Sequence, residues 1–172
     1  GCAVAIEVAK ALKNEKHENI YYGVGTVQEE VGTRGAATTS NIVNPDIGIA
    51  LDVTIADDIP GGENECKFGE GPAILVYDGG LVGHRGLRKQ IMKVAKDNSI
   101  PIQLSYLARG GTDASKMHLA HDGAPSVSMC IPSRYIHSHT SMIHKQDYEN
   151  CVKLIVELVK SLDRETVNKL TY

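Results

Sequence analysis

The spacing of apolar and polar residues divides the chain into alternating helices and strands. Residues 1–12 and 85–98 repeat apolar positions at helical spacing. A short helix through about residue 120 is predicted after Gly110-Gly111, with Thr112 or Asp113 as its cap. Near the end of the chain, an i, i+3, i+4, i+7 stripe predicts a long closing helix and consists of Val152, Ile155, Val156, Val159 and Leu162.

Short runs of β-branched and other apolar residues predict buried strands at 20–27, 47–51, 73–77 and 126–131, and residues 100–107 have an extended pattern. Strands that alternate with helices over the length of one domain predict an α/β fold. We expect a three-layer α/β/α sandwich around a mixed, mostly parallel sheet. Acidic residues follow three of the runs, and ligands of such sheets bind beyond the carboxyl ends of the strands. The acids at these positions are therefore candidate site residues.

The composition fits one globular domain and argues against several partners. With 172 residues, 42% of them apolar, the chain can bury a core without disulfides. Its 18 basic and 21 acidic residues form no long basic block, so we do not expect it to bind nucleic acid. No run reaches the roughly 18 apolar residues of a membrane span, so a membrane is not an expected partner. The four cysteines are widely separated, which favours reduced thiols and a cytoplasmic location.

The first residues already lie within a predicted helix. Neither an initiator Met nor a capping residue precedes the helical pattern that starts at Gly1. We therefore expect this chain to be a fragment of a longer polypeptide, truncated at its N-terminus.

Carboxylates and histidines are the candidate chemical groups. Adjacent acids such as Glu29 and Glu30 can divide their roles, one binding a cation and the other accepting a proton, although both can also belong to a solvated turn. Asp52 fits either a metal ligand or a residue that caps the next turn. The densest group of histidines follows the last predicted strand and consists of His137, His139 and His144. Imidazole and carboxylate together suit zinc, cobalt or manganese.

Five motifs, in this order and spacing, resemble those of the glutamyl (PepA-type) and tetrahedral aminopeptidases. They are Val27-Gln-Glu-Glu-Val-Gly-Thr-Arg-Gly-Ala36, Pro45-Asp46 leading to Ala50-Leu-Asp-Val53, Asp58-Ile-Pro-Gly61, Gly110-Gly-Thr-Asp-Ala114 and Arg134-Tyr-Ile-His-Ser138. The similarity extends from residue 1 to about residue 163. It implies a zinc-peptidase-like fold, peptide substrates, two divalent metal ions (zinc or cobalt, or manganese) and a homo-oligomer for the full-length protein.

The resemblance also implies roles for individual residues. By motif, Glu29 resembles the general base of the family, while Glu30, Asp52 and His137 resemble ligands of its two metal ions. Substrate-binding residues are expected in one turn, formed by Gly110, Gly111, Thr112 and Asp113, since paired glycines allow close approach of the backbone to a ligand. The implied reaction is hydrolysis of the N-terminal peptide bond.

The remaining family ligands, a histidine and a bridging aspartate, lie upstream of the segment that starts at Gly1, as does an inserted dimerisation domain. Residues 1–172 are thus expected to be the C-terminal portion of the catalytic domain and to be inactive alone. Two alternatives remain: a glycoside hydrolase (cellulase-like) that uses a pair of these carboxylates, and a non-catalytic interaction module.

Overall fold

A mixed sheet forms the middle layer of the protein, which we describe from a computed structural model of residues 1–63 and 65–171. Its strands are β1 (Gly48–Ile55), β2 (Ala73–Leu75), β3 (Gln103–Ser105), β4 (Ser126–Arg134) and β5 (Met142–Ile143). The order across the sheet is β1-β4-β2-β3, and β5 pairs with the end of β4. The β1–β4 and β2–β3 pairs are parallel, whereas β4 is antiparallel to β2 and β5.

Helices cover both faces of this sheet. They are α1 (Cys2–Leu12), α2 (Arg34–Val43), α3 (Arg85–Asp97), α4 (Ala114–Met117), α5 (Lys145–Ser161) and α6 (Arg164–Thr171). The larger core joins α1, α3 and α5 to one face, and α4 packs on β1 and β4 from the other with α2 beside it. Alternation along β1 explains the two layers, because Ile49 and Leu51 point to the larger core and Ala50 to the smaller one. The predicted three-layer α/β/α fold is confirmed.

The closing helix is the main support of the sheet. Leu154 and Leu158 of α5 are fully buried, and they belong to the same cluster as Val127, Met129 and Ile131 of β4. Burial of each such side chain stabilises the fold by about 1.5–3 kcal/mol. None of the helices in the described part of the chain is long and apolar enough to cross a membrane.

Two strand predictions are wrong in ways that affect the candidate site. Residues 20–27 form neither helix nor strand and pair with no strand among the described residues, so Glu29 and Glu30 follow an irregular segment rather than the end of a strand. β1 continues to Ile55, because the β-branched residues after Asp52 keep pairing with β4. Asp52 therefore lies within a strand, opposite Cys130.

Helix α2 was not predicted. Its sequence contains several Thr, Ser and Asn residues, whose side chains compete for backbone hydrogen bonds and make them weak helix formers. In the structure these groups bond to their own helix instead: Ser40 Oγ donates to the carbonyl of Ala36 at 2.6 Å. The sequence pattern also made no prediction after Asp163, where α6 is found.

Candidate active site

The predicted metal ligands and general base lie together. A cavity of about 750 Å³ beside β1 is lined by Glu29, Glu30 and Asp52, among other residues. His137 comes from the loop after β4, and its Nε2 lies 3.6 Å from Oε2 of Glu30. The fold thus joins four residues from three distant segments, while the roles assigned to them stay predictions.

A tight turn holds the two adjacent glutamates. The amides of Gly32 and Thr33 both donate to the carbonyl of Glu29, at 3.0 and 2.8 Å. The φ angles of Gln28 (58°) and Thr33 (52°) lie in the left-handed region. Non-glycine residues seldom adopt that region, least of all a β-branched one such as Thr33, and such strain often accompanies functional sites.

Gly35 closes this turn against the segment before it, residues 20–27. Its amide donates to the carbonyl of Val27 at 2.9 Å. A Cβ at this position would lie 2.5 Å from both the nitrogen and the oxygen of Val27, closer than any side chain tolerates. The path of the chain into Gln28 and Glu29 therefore depends on a glycine at the start of α2.

Asp52 brings its carboxylate to the cavity from β1. Oδ1 of Asp52 accepts a hydrogen bond of 2.7 Å from the amide of Val53. Burial raises the pKa of Asp52, the Val53 amide opposes the rise, and the carboxylates of Glu30 and Asp113 add to it.

Burial and neighbouring carboxylates also raise the pKa of Glu29. Burial raises its pKa, and the carboxylates of Asp52, Asp113 and Glu30 raise it further, whereas the imidazole of His137 acts in the opposite direction. Like charges this close disfavour simultaneous ionisation. Such a group of carboxylates is therefore suited to binding cations, which offset the repulsion.

Arg134, at the end of β4, ties the loop that carries His137 to the segment between β1 and β2. Nη2 and Nε of Arg134 donate to the two carboxylate oxygens of Asp58 at 2.8 and 3.3 Å. The guanidinium also lies 4.7 Å above the ring of Phe68. Beyond this anchor, Tyr135 and His137 adopt φ angles of 58° and 57°, again in the left-handed region.

Two of the predicted ligands, Glu30 and His137, lie at a separation that suits one divalent metal ion, but no third ligand lies close to them among the described residues. Two ligands of one tetrahedral zinc lie about 3.3 Å apart when each metal–ligand distance is about 2.0 Å. The 3.6 Å between Glu30 and His137 is close to that separation, and their side chains remain 78% and 74% exposed and free to adjust. Within residues 1–63 and 65–171, no group of three or more His, Cys, Asp and Glu side chains is close enough to hold a metal.

Only one residue of the predicted substrate-binding turn lines the cavity, and it is Asp113. Gly110 and Gly111 are exposed at the surface, where the carbonyl of Gly110 accepts from the amide of Gly79 at 2.7 Å. Thr112 is buried, and its hydroxyl contacts Asp78 and Ser128 at 3.1 and 2.6 Å. The Thr112 hydroxyl thus stabilises the turn through these contacts.

Sequence reasoning missed Thr26, which also lines the cavity. Its Oγ1 donates to Oδ2 of Asp113 at 2.5 Å, across 87 positions of sequence. The one local signal was a hydroxyl side chain at the end of an apolar run, three residues before Glu29. The bidentate Arg134–Asp58 contact was missed as well, although both residues lie in the motifs.

The sandwich, with its carboxylate-lined cavity at the side of β1, has a zinc-peptidase-like fold. Residues 1–154 match the family model described as M42 glutamyl aminopeptidase. The chain belongs to this family.

Individual relatives agree with this assignment. The lysyl aminopeptidase of Pyrococcus furiosus is 37% identical over 91% of this chain and 44% of its own length. A TET aminopeptidase structure from a Thaumarchaeota archaeon is 43% identical with a TM-score of 0.95, over 98% of this chain and 48% of that one. The Pyrococcus horikoshii TET1 peptidase, which can assemble into a tetrahedron or a large octahedral shell, is 34% identical with a TM-score of 0.67, over 80% and 40%. The chain spans about half the length of the relatives it matches.

Proposed function

We propose that the full-length protein is a metal-dependent aminopeptidase that hydrolyses the N-terminal peptide bond of peptides. One observation carries the proposal: Glu29, Glu30 and Asp52 line a single cavity, and the imidazole of His137 lies 3.6 Å from Glu30. A carboxylate group beside an imidazole is a suitable donor set for a hydrolytic metal site. Membership of the M42 glutamyl aminopeptidase family supports the same reaction.

Each residue has a separate task in this reaction. Glu30 and His137 would hold one cation, and Asp52 the other. The bound cations supply positive charge that polarises the scissile carbonyl and acidifies water. Glu29 accepts the proton of the attacking water and later donates it to the leaving amine.

Two ions of zinc or cobalt, or of manganese, are proposed as the cofactor. Carboxylate oxygen and imidazole nitrogen suit all three metals, and two-metal sites are common in aminopeptidases.

We also propose a homo-oligomer in the cytoplasm. The TET1 peptidase of Pyrococcus horikoshii supports assembly, since it can assemble into a tetrahedron or a large octahedral shell. Ile42 and Leu119 are more than half exposed, as expected of apolar residues that an interface covers. All four cysteines are free thiols, which suits a reducing compartment.

The test compares substrates on the full-length protein. A peptide with a free N-terminus should be hydrolysed, its N-acetylated form should not, and a chelator should abolish turnover until zinc, cobalt or manganese is restored. Hydrolysis of a β-glucan that survives chelation would instead support the glycosidase. The glycosidase is disfavoured here because a carboxylate pair of that kind needs no imidazole beside it.

A further inference from the structure

We propose that Asp113 is a positioning residue for Glu29 and acts through its hydrogen bond to Thr26. The inference rests on the proposed function, in which Glu29 transfers the proton. Thr26 Oγ1 donates to Asp113 Oδ2 at 2.5 Å, and Thr26 lies three residues before Glu29 in the sequence. Correct placement of the general base would then depend on a residue that transfers no proton itself.

The segment before Glu29 needs such a contact. Residues 20–27 pair with no strand in the part of the chain described here, and Tyr22, Val24 and Val27 are exposed. Tyr21 ties the start of the segment to α1 by a 3.1 Å hydrogen bond from its hydroxyl to the carbonyl of Ala5. Near Glu29, two hydrogen bonds hold the other end: the backbone bond from the Gly35 amide to Val27, and the bond from the Thr26 side chain to Asp113.

Asp113 is itself rigidly held. The preceding residue, Thr112, is buried in a network with Asp78 and Ser128 at the centre of the sheet. The carbonyl of Asp113 accepts the amides of Lys116 and Met117 in α4 at 3.0 and 3.2 Å. A charged acceptor on a fixed support can therefore orient the hydroxyl of Thr26 on the less supported segment.

Two simpler roles fit the observations less well. Asp113 stands at the N-cap of α4, but its side chain makes no capping hydrogen bond. It is not a solvated turn residue either, since its Oδ1 is buried and has no partner among the described residues. A carboxylate placed beside Glu29 and Asp52 also adds to their repulsion. Among the described residues, the hydrogen bond from Thr26 is the side-chain contact that the Asp113 carboxylate makes.

The experiment uses matched threonine variants of the full-length, metal-loaded enzyme. Thr26→Val removes the hydroxyl and should lower kcat on the order of 10–100-fold, with KM within about twofold, because the proton acceptor is misplaced. Thr26→Ser keeps the hydroxyl and should restore kcat. Thr38→Val is the control, since the Thr38 hydroxyl bonds to the carbonyl of Gly35 within α2. It should leave kcat unchanged.

A second readout needs no metal and no turnover. In the metal-free protein, hydrogen exchange of the amides of Gly32 and Thr33 should be faster in Thr26→Val than in the wild type or Thr26→Ser. The proposal would be overturned if Thr26→Val had the same kcat and the same amide hydrogen exchange as the wild type. A raised KM in Asp113→Asn, with Thr26→Val silent, would make Asp113 a substrate contact instead. Unchanged turnover in Glu29→Gln would refute the proposed function of Glu29 rather than the role of Thr26.

Discussion

Left-handed backbone occurs at residues that carry or border the predicted chemistry, and also at three non-glycine residues elsewhere in the described chain. Gln28, next to Glu29, and His137 both have φ near +57°. Each such residue costs on the order of 1 kcal/mol or more, and it persists only where surrounding contacts over-determine it. Here the contacts are the amides that bond to the Glu29 carbonyl and the Arg134–Asp58 pair that precedes His137. The protein is thus less stable than it would be without these backbone conformations, which orient the side chains of Glu29 and His137.

Substitution of the two adjacent glutamates should separate proton transfer from metal binding. We expect Glu29→Gln to keep the metal content of the full-length enzyme but to lower kcat by about 10²–10⁴-fold, because it removes the proton acceptor and no ligand. Glu30→Gln should instead lower the metal content. Elemental analysis and turnover of both purified variants provide the measurement.

One result would contradict the separate roles of Glu29 and Glu30. Equal loss of metal in the two variants would make Glu29 a ligand as well. The control is Glu18→Gln, since Glu18 also lines the cavity but lies apart from the predicted ligands in sequence. Its metal content should match the wild type.

At the scale of elements, the ion pair between Asp58 and Arg134 should make stability depend on pH. The hydrogen bond from Arg134 holds the pKa of Asp58 below its ordinary value of 3.8. A carboxyl whose pKa is lowered by folding contributes stability above its unfolded pKa, and the contribution is lost as the pH falls through the folded value. The difference in unfolding free energy between wild type and Asp58→Asn should be constant above about pH 5 and shrink below about pH 4. A difference that does not change with pH would contradict this.

The loop before β2 depends on the first turn of α5. Asp147 is fully buried, and its two oxygens accept the amides of Gly69 and Gly71 at 2.8 Å each. Asp147→Asn turns one acceptor into a donor that faces an amide. It should lower the free energy of unfolding by about 1–3 kcal/mol.

Urea denaturation measures the effect of Asp147→Asn. The control is Glu149→Gln, because Glu149 lies in the same turn and makes an exposed ion pair with Lys145. That change should cost less than about 0.5 kcal/mol. Equal losses in the two variants would show that the buried carboxylate has no special role.

At the scale of the whole molecule, local periodicity predicted the layers of the fold but not the long-range contacts that bring the site residues together. The stripe on α5 predicts a helix because its apolar residues share one face, and the burial of Leu154 and Leu158 follows. Residues 20–27 have strand composition, yet a strand also needs a neighbour, and composition does not report one. The bond between Thr26 and Asp113 joins positions 87 apart, which no local pattern records. The ends of the predicted strands already indicated Glu29, Glu30 and Asp52 as candidates, whereas the motifs indicated the separate roles of these residues and of His137.

Residues 1–172 by themselves should show negligible aminopeptidase activity. One cation would have Glu30 and His137 as ligands and the other Asp52, whereas catalytic zinc usually has three protein ligands. Purified 172-residue protein should bind less than one equivalent of zinc in equilibrium dialysis at micromolar metal. It should release no amino acid from a peptide that the full-length enzyme cleaves. Turnover at rates typical of enzymes would show that these ligands suffice.

Because Gly35 packs closely against the backbone of Val27, the protein should be sensitive to substitution at a residue that has no side chain of its own. Any side chain at residue 35 must push the backbone of Val27 away, and that backbone leads directly into Glu29. In a library of all single substitutions selected for activity, position 35 should therefore tolerate as few replacements as position 29. Screens for improved variants gain nothing there, whereas the exposed helix position Asn41 offers room for change.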